Sequence, residues 1–138
     1  MARVDLGGPM DRGRTTLRVF AILIAVRAAT DVLKPLGAGS GFVFFGKFLT
    51  GAACYILAPI VGAAMLVYAY GLWHGRRFAL PMGIAYGLLV TINLVVFPLL
   101  QGLPNRFNVP AYVVFGLIAL GVTWGAVWLL AQRKDALV

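Results

Sequence analysis

The sequence predicts an all-α integral membrane protein: a four-helix bundle with a short interfacial helix or re-entrant segment between its first and second spans. Three observations carry this expectation. The 138 residues are 62% hydrophobic and 12% charged, with a mean hydropathy of +0.93. The apolar residues gather into four segments of about twenty residues, the length that crosses a hydrocarbon core about 30 Å thick. The cations stand mostly at the ends of those segments, where they orient helices and meet headgroups. In lipid the backbone must satisfy its own hydrogen bonds, so such segments are helices.

The expected organisation is a cytoplasmic tail over 1–16, a transmembrane domain over 17–132 and a second cytoplasmic tail over 133–138. The tail MARVDLGGPMDRGRTTLR is polar and glycine-rich and has no signal-peptide core, so the first span is expected to remain as an uncleaved anchor. That span covers 17–36, LRVFAILIAVRAATDVLKPL, and Pro35 stops it. Gly37, Gly39 and Gly41 then supply a turn.

The stretch FVFFGKFL at 42–49 is read as a separate piece. A single helix from 42 to 73 would measure about 48 Å, too long for the core without strong tilt. As a short helix, 42–49 would set Phe44 and Phe48, and Phe42 and Phe45, on an aromatic face at the headgroup boundary. Lys47 would snorkel to water.

The second span is 50–73, with Pro59 inside it as an expected kink. Tyr68, Tyr70 and Trp73 are expected to form an aromatic belt at its far end. The short loop HGRRF makes a hairpin with the third span, 78–100, whose Pro81 sits in the first turn, where its missing donor costs nothing. QGLPNRFNVP is rich in turn residues and leads to the fourth span, 110–130.

Of the twelve cations, eight fall on the side of the two tails and the HGRRF loop. Lys34, Lys47 and Arg106 fall on the other side, and Arg27 lies within a span. The positive-inside rule then places both termini in the cytoplasm of a multi-pass protein of the bacterial inner membrane. The net charge of +8 and pI of 10.4 are thereby assigned to lipid contact and orientation. Nucleic acid is not an expected partner, because no aromatic-basic interleaving or recognition module is present.

The candidate site is the charged pair Arg27 and Asp31, spaced i, i+4 on one helix face, with Lys34 a turn beyond. Arg27 lies about ten residues, or about 15 Å, into its span. A lone arginine at that depth costs at least about 2.5–3.5 kcal/mol, which a neighbouring carboxylate offsets in part. The pair is read first as a structural ion pair against other helices or a partner subunit, and second as a binding or proton-coupling site. A shallower helix that lets both residues reach an interface is the third reading. A nearby arginine opposes protonation of a carboxylate, which counts against Asp31 as a simple proton carrier.

Thr91 and Asn93 in the third span are expected to bond between helices, and Asn93 to complete a polar cluster with Arg27 and Asp31. Gly83 and Gly87, and Gly121 and Gly125, form two GxxxG pairs that suggest close packing of spans three and four or contact with another subunit.

Cys54 excludes an intrachain disulfide, being the single cysteine, and is read as a small packing residue. His74 is read as a loop residue, and no metal site or cofactor is expected. No GxSxG, HExxH, phosphate-binding loop or dinucleotide fingerprint occurs, and Asp31 is the one acid within a span, so no catalytic residue is assigned.

The plan resembles small bacterial four-helix membrane proteins of the DoxX-like group. The resemblance rests on a basic residue among small residues in the first span and on a central hairpin, here MLVYAYGLWHGRRFALPMGIA. It concerns topology over most of the chain, and no functional residue is carried over from it. A small multidrug transporter shares four short helices and an acid in the first span, but the pairing of Asp31 with Arg27 and the long glycine-rich loops depart from that pattern.

The expected function is that of a non-enzymatic accessory or scaffold subunit of a larger membrane complex. Its partners would be membrane lipids and other membrane subunits, or a second copy. The alternative is a small transporter or a protein that binds a lipophilic ligand, a quinone or a lipid.

Overall fold

The computed structural model describes residues 9–33, 36, 41–102 and 108–138. Four long helices dominate: α1 (Pro9–Val32), α2 (Ala52–His74), α3 (Ala79–Gln101) and α4 (Val109–Gln132). Two short strands, β1 (Phe42–Phe44) and β2 (Lys47–Leu49), lie between α1 and α2. Among the described residues α2, α3 and α4 are long and apolar enough to cross a membrane. α1 has the length, but Arg18, Arg27 and Asp31 interrupt its apolar part.

Local chemistry sets the helix ends. α2 stops where Gly75 adopts a left-handed conformation at φ 64° and the amides of Gly75 and Arg76 close back on α2 carbonyls. α4 starts at Asn108, whose side chain accepts from the Ala111 amide at 3.1 Å. α2 runs on through Pro59, and Pro98 lies in the last turn of α3.

Neighbouring helices run antiparallel. Arg18 of α1 lies over Trp73 of α2, while Ala28 and Val32 lie against Gly62. Gly71 of α2 meets Phe78 and Ala79, and Tyr68 meets Gly83 of α3. Gly83 also meets Val127 of α4, Gly87 meets Trp124, and Gly116 of α4 meets Leu94. Arg133 crosses Gly13, and Phe20 faces Gly125, which brings α1 beside α4 at that end. The shared core is built from Leu17, Ala21, Ile24 and Ala28 of α1, Met65, Tyr68 and Leu72 of α2, Ala79 of α3, and Ala126 and Leu130 of α4.

This arrangement gathers Arg12, Arg14, Arg18, Arg76, Arg77, Arg133 and Lys134 at one end. The C-terminal residues dock there too. Arg77 donates from its amide to the Val138 carbonyl and from Nε to the Leu137 carbonyl, both at 3.0 Å, and the Val138 amide donates to Gly75.

Several expectations are corrected. Residues 9–16 are not an irregular tail; they form the first two turns of α1. Residues 42–49 form no interfacial helix. They pair as an antiparallel hairpin in which Phe42 faces Leu49, Val43 faces Phe48 and Phe44 faces Lys47. The turn residues Phe45 and Gly46 both have positive φ, 49° and 75°, which is the two-residue hairpin geometry that matches strand twist. Helical spacing therefore does not apply to these phenylalanines. Phe44 packs on Cys54 and Ala58, while Phe45 and Phe48 are exposed. Tyr68 does not belong to an aromatic belt: it is buried in the core, and Tyr70 and Trp73 alone stand outward. His74 is the last residue of α2 rather than a loop residue. The tail over 1–8, Lys34, Pro35, Gly37, Gly39 and the loop around Arg106 lie outside the described residues.

Candidate functional site

α1 buries one stripe, Leu17, Ala21, Ile24, Ala28 and Asp31, at the i, i+3, i+4, i+7 spacing of a helix face. Asp31 therefore falls in line with apolar core residues and is only 2% exposed. Arg27, one turn earlier, sits at the edge of the stripe. Its Nη2 lies 3.7 Å from Asp31 Oδ1, and its side chain is 59% exposed against 3% for the aspartate. The pair thus has an inner carboxylate and an outer guanidinium. Thr30, beside them, bonds back to the Arg27 carbonyl at 2.6 Å.

The antiparallel register fixes the depth of Arg27. Arg18 is level with Trp73, and Ala28 to Val32 are level with Gly62. Arg27 is therefore level with about residue 64 of α2, about 18 Å from the start of that helix and about 15 Å from its end at 1.5 Å per residue. An extended arginine side chain does not bridge that distance.

Tyr86 of α3 lies within electrostatic reach of both Arg27 and Asp31. Its ring stands 6.1 Å from that of Tyr68. Tyr68 is 1% exposed, and its hydroxyl has no hydrogen-bond partner among the described residues. These two tyrosines were not singled out as part of the candidate cluster. The signal available was register: Tyr68 and Gly83 oppose each other across the HGRRF turn.

Asn93 is not part of the charged cluster. Its Oδ1 accepts from the Gly46 amide at 3.1 Å, and its Nδ2 donates to the Val43 carbonyl at 3.3 Å. It clamps the hairpin to α3. Gly46 lacks a side chain where a Cβ would run into Val96, so the turn sits flat on the helix. Thr91 bonds within α3 to the Gly87 carbonyl at 2.7 Å and accepts from Trp124 Nε1 at 3.1 Å, linking α3 to α4.

The two glycine pairs differ. Gly83 and Gly87 are buried, and a Cβ at either would press on its neighbours: the Tyr68 hydroxyl at 2.7 Å from Gly83, the Trp124 ring at 3.1 Å from Gly87. Gly121 has open space, and Gly125 faces Phe20 of α1 at 3.6 Å, so the second pair does not mirror the first. A close contact that the spacing did not point to occurs at Gly62, whose missing Cβ admits the Ala28 carbonyl and the Val32 amide of α1.

Cys54 is buried beneath Phe44. His74 donates from Nδ1 to the Tyr70 carbonyl at 3.1 Å, the carbonyl being able only to accept, and its ring lies 4.2 Å from that of Tyr70. Among the described residues no three His, Cys, Asp or Glu side chains converge as a metal-binding group. No family model, no curated protein and no solved structure matches the chain.

Proposed function

We propose that this chain is a non-enzymatic accessory subunit of a larger complex in the bacterial inner membrane, docking through the flank of α1 that carries Arg27. In this reading α1 is the fourth span, both termini are cytoplasmic, and the basic end faces the anionic leaflet. The observation that carries it is the position of Arg27: level with the middle of α2, with its guanidinium outward and Asp31 holding one side of it.

An arginine facing hydrocarbon is unfavourable by about 2.5–3.5 kcal/mol even on the gentlest scale, and Asp31 offsets only part of this from one side. From a level about 15 Å or more inside the span of α2, snorkelling is out of reach. A partner helix that supplies a carboxylate or a free carbonyl removes that penalty. The neighbours of Arg27 suit close approach, since Val26 and Leu33 are exposed on the same helix and Thr30 is short.

A photoreactive side chain placed at Val26 or Thr30 in cells tests this directly. Crosslinking to one discrete membrane protein is expected from these positions, and none from Ile56 on the exposed face of α2. Equal, diffuse labelling from all three positions overturns the reading.

A second reading is favoured by Tyr68. A buried hydroxyl without a partner beside Tyr86 offers a donor to the carbonyl of a lipophilic ligand such as a quinone. Saturable quinone binding that Tyr68→Phe abolishes would establish it.

A further inference from the structure

Between α1 and α2, just below the basic end, lies an open groove of about 200 Å³. Ala21 and Ala25 of α1 and Ala69 of α2 hollow it out, and Ile22, Tyr70 and Trp73 form its rims. Its walls are wholly apolar. The mouth nearest the basic end is different. Arg18 lies with its guanidinium 5.3 Å from the centre of the Trp73 ring. A cation stacked on an aromatic face keeps its N–H edges free to donate. Arg14 stands one turn further out on α1 and is also exposed. His74 also lines the groove, with its Nδ1 committed to the Tyr70 carbonyl.

We propose that this groove is a binding site for an anionic phospholipid: an acyl chain lies between α1 and α2, and the phosphate is held by Arg18 with Arg14 behind it. Apolar walls alone do not select one lipid over another, because bulk lipid offers the same surroundings. Selection comes from the headgroup. A cation beside an anionic headgroup contributes a preference of about fivefold. The stacked Trp73 fixes Arg18 in place, so less side-chain freedom is lost on binding. A bacterial inner-leaflet lipid with a net negative headgroup, such as phosphatidylglycerol, fits this mouth. This site is separate from Arg27 and stands whether or not a partner subunit docks there.

The test is native mass spectrometry of the full chain, released from detergent that contains equal amounts of phosphatidylglycerol and phosphatidylcholine with the same acyl chains. One phosphatidylglycerol should be retained in preference to phosphatidylcholine. Arg18→Gln should lower that preference by about fivefold, and Arg18→Lys should recover part of it. Ala25→Leu, which fills the groove, should lower retention of both lipids. Arg76→Gln removes an exposed cation from the same end that neither lines the groove nor stacks on Trp73, and it should leave the preference intact. Equal retention of the two lipids by the unaltered chain overturns the proposal. So does an equal loss in Arg18→Gln and Arg76→Gln, which would reduce the effect to net charge, or unchanged retention in Ala25→Leu.

Discussion

Asn93 holds the hairpin over Cys54, and replacing it should open that cover measurably. The substitution Asn93→Leu keeps the branched shape and heavy-atom count and removes two hydrogen bonds, one accepted by Oδ1 from the Gly46 amide and one donated by Nδ2 to the Val43 carbonyl. Each net bond contributes about 0.5–1.5 kcal/mol in water-soluble proteins and about 0.6 kcal/mol on average within membranes. Two bonds give about 1–3 kcal/mol. The hairpin's population in an open state should then rise about 5- to 150-fold, since each 1.4 kcal/mol is about tenfold. Cys54 reports this opening, because it is fully buried, lies under Phe44 and is the single cysteine of the chain. The assay is the rate of labelling by a membrane-permeant maleimide. When opening is fast relative to labelling, the rate follows the open population. Phe44→Ala, which uncovers the thiol directly, serves as the positive control. A labelling rate in Asn93→Leu equal to that of the unaltered chain, with Phe44→Ala accelerated, would refute the assignment of Asn93 as the clamp.

The other predictions concern charge, packing and orientation. Arg27→Ala and Asp31→Ala should each lower thermal stability in detergent, and the double substitution should be milder than the two losses added. The expected coupling is at least about 0.5 kcal/mol, and strict additivity would show that the pair does not interact. Gly83→Leu should destabilise the fold by about 1–3 kcal/mol, because its side chain would enter the contact with Tyr68 and Val127. Gly121→Ala should be neutral or stabilising by up to about 1 kcal/mol, as open space surrounds it. Equal effects at the two sites in a thermal unfolding series would contradict the packing described. A reporter fused after Val138 should behave as cytoplasmic and one inserted near Asn105 as external. Reporters on the same side would contradict a crossing by α4, and an external C-terminal reporter would contradict the orientation.

The apolar helices α2, α3 and α4 were legible because continuous apolar length is a direct physical requirement of a span. Their ends fall within two residues of the expected 50–73, 78–100 and 110–130, and the structure adds the local cause at Gly75 and Asn108. The hairpin was harder. FVFFGKFL is short and apolar, and periodicity does not distinguish strand from helix over such a length. The signal lay in three-residue runs of aromatic and β-branched residues around a two-residue turn ending in Gly46, with Phe45 an unusual occupant of a positive-φ position.

Asn93 was legible as a hydrogen-bonding residue but not by its partner, since sequence gives no distance between α3 and residues 43–46. Asn93 covers the backbone polar groups of Gly46 and Val43, which have no place in a helix ladder. The spacing of Arg27 and Asp31 placed them on one face, yet it did not show that one is buried and the other turned out. That asymmetry depends on which flank of α1 meets the core, and the stripe from Leu17 to Asp31 settles it.

The most direct test of the proposed role is the mass of the assembly purified from its native membrane in mild detergent. A discrete complex heavier than the 14.8 kDa chain, containing at least one other membrane protein, is expected, as is its loss when Arg27 is replaced by leucine. The leucine variant should remain helical and membrane-bound. A lone chain from native membranes, or a complex that survives Arg27→Leu undiminished, would contradict docking through this flank of α1.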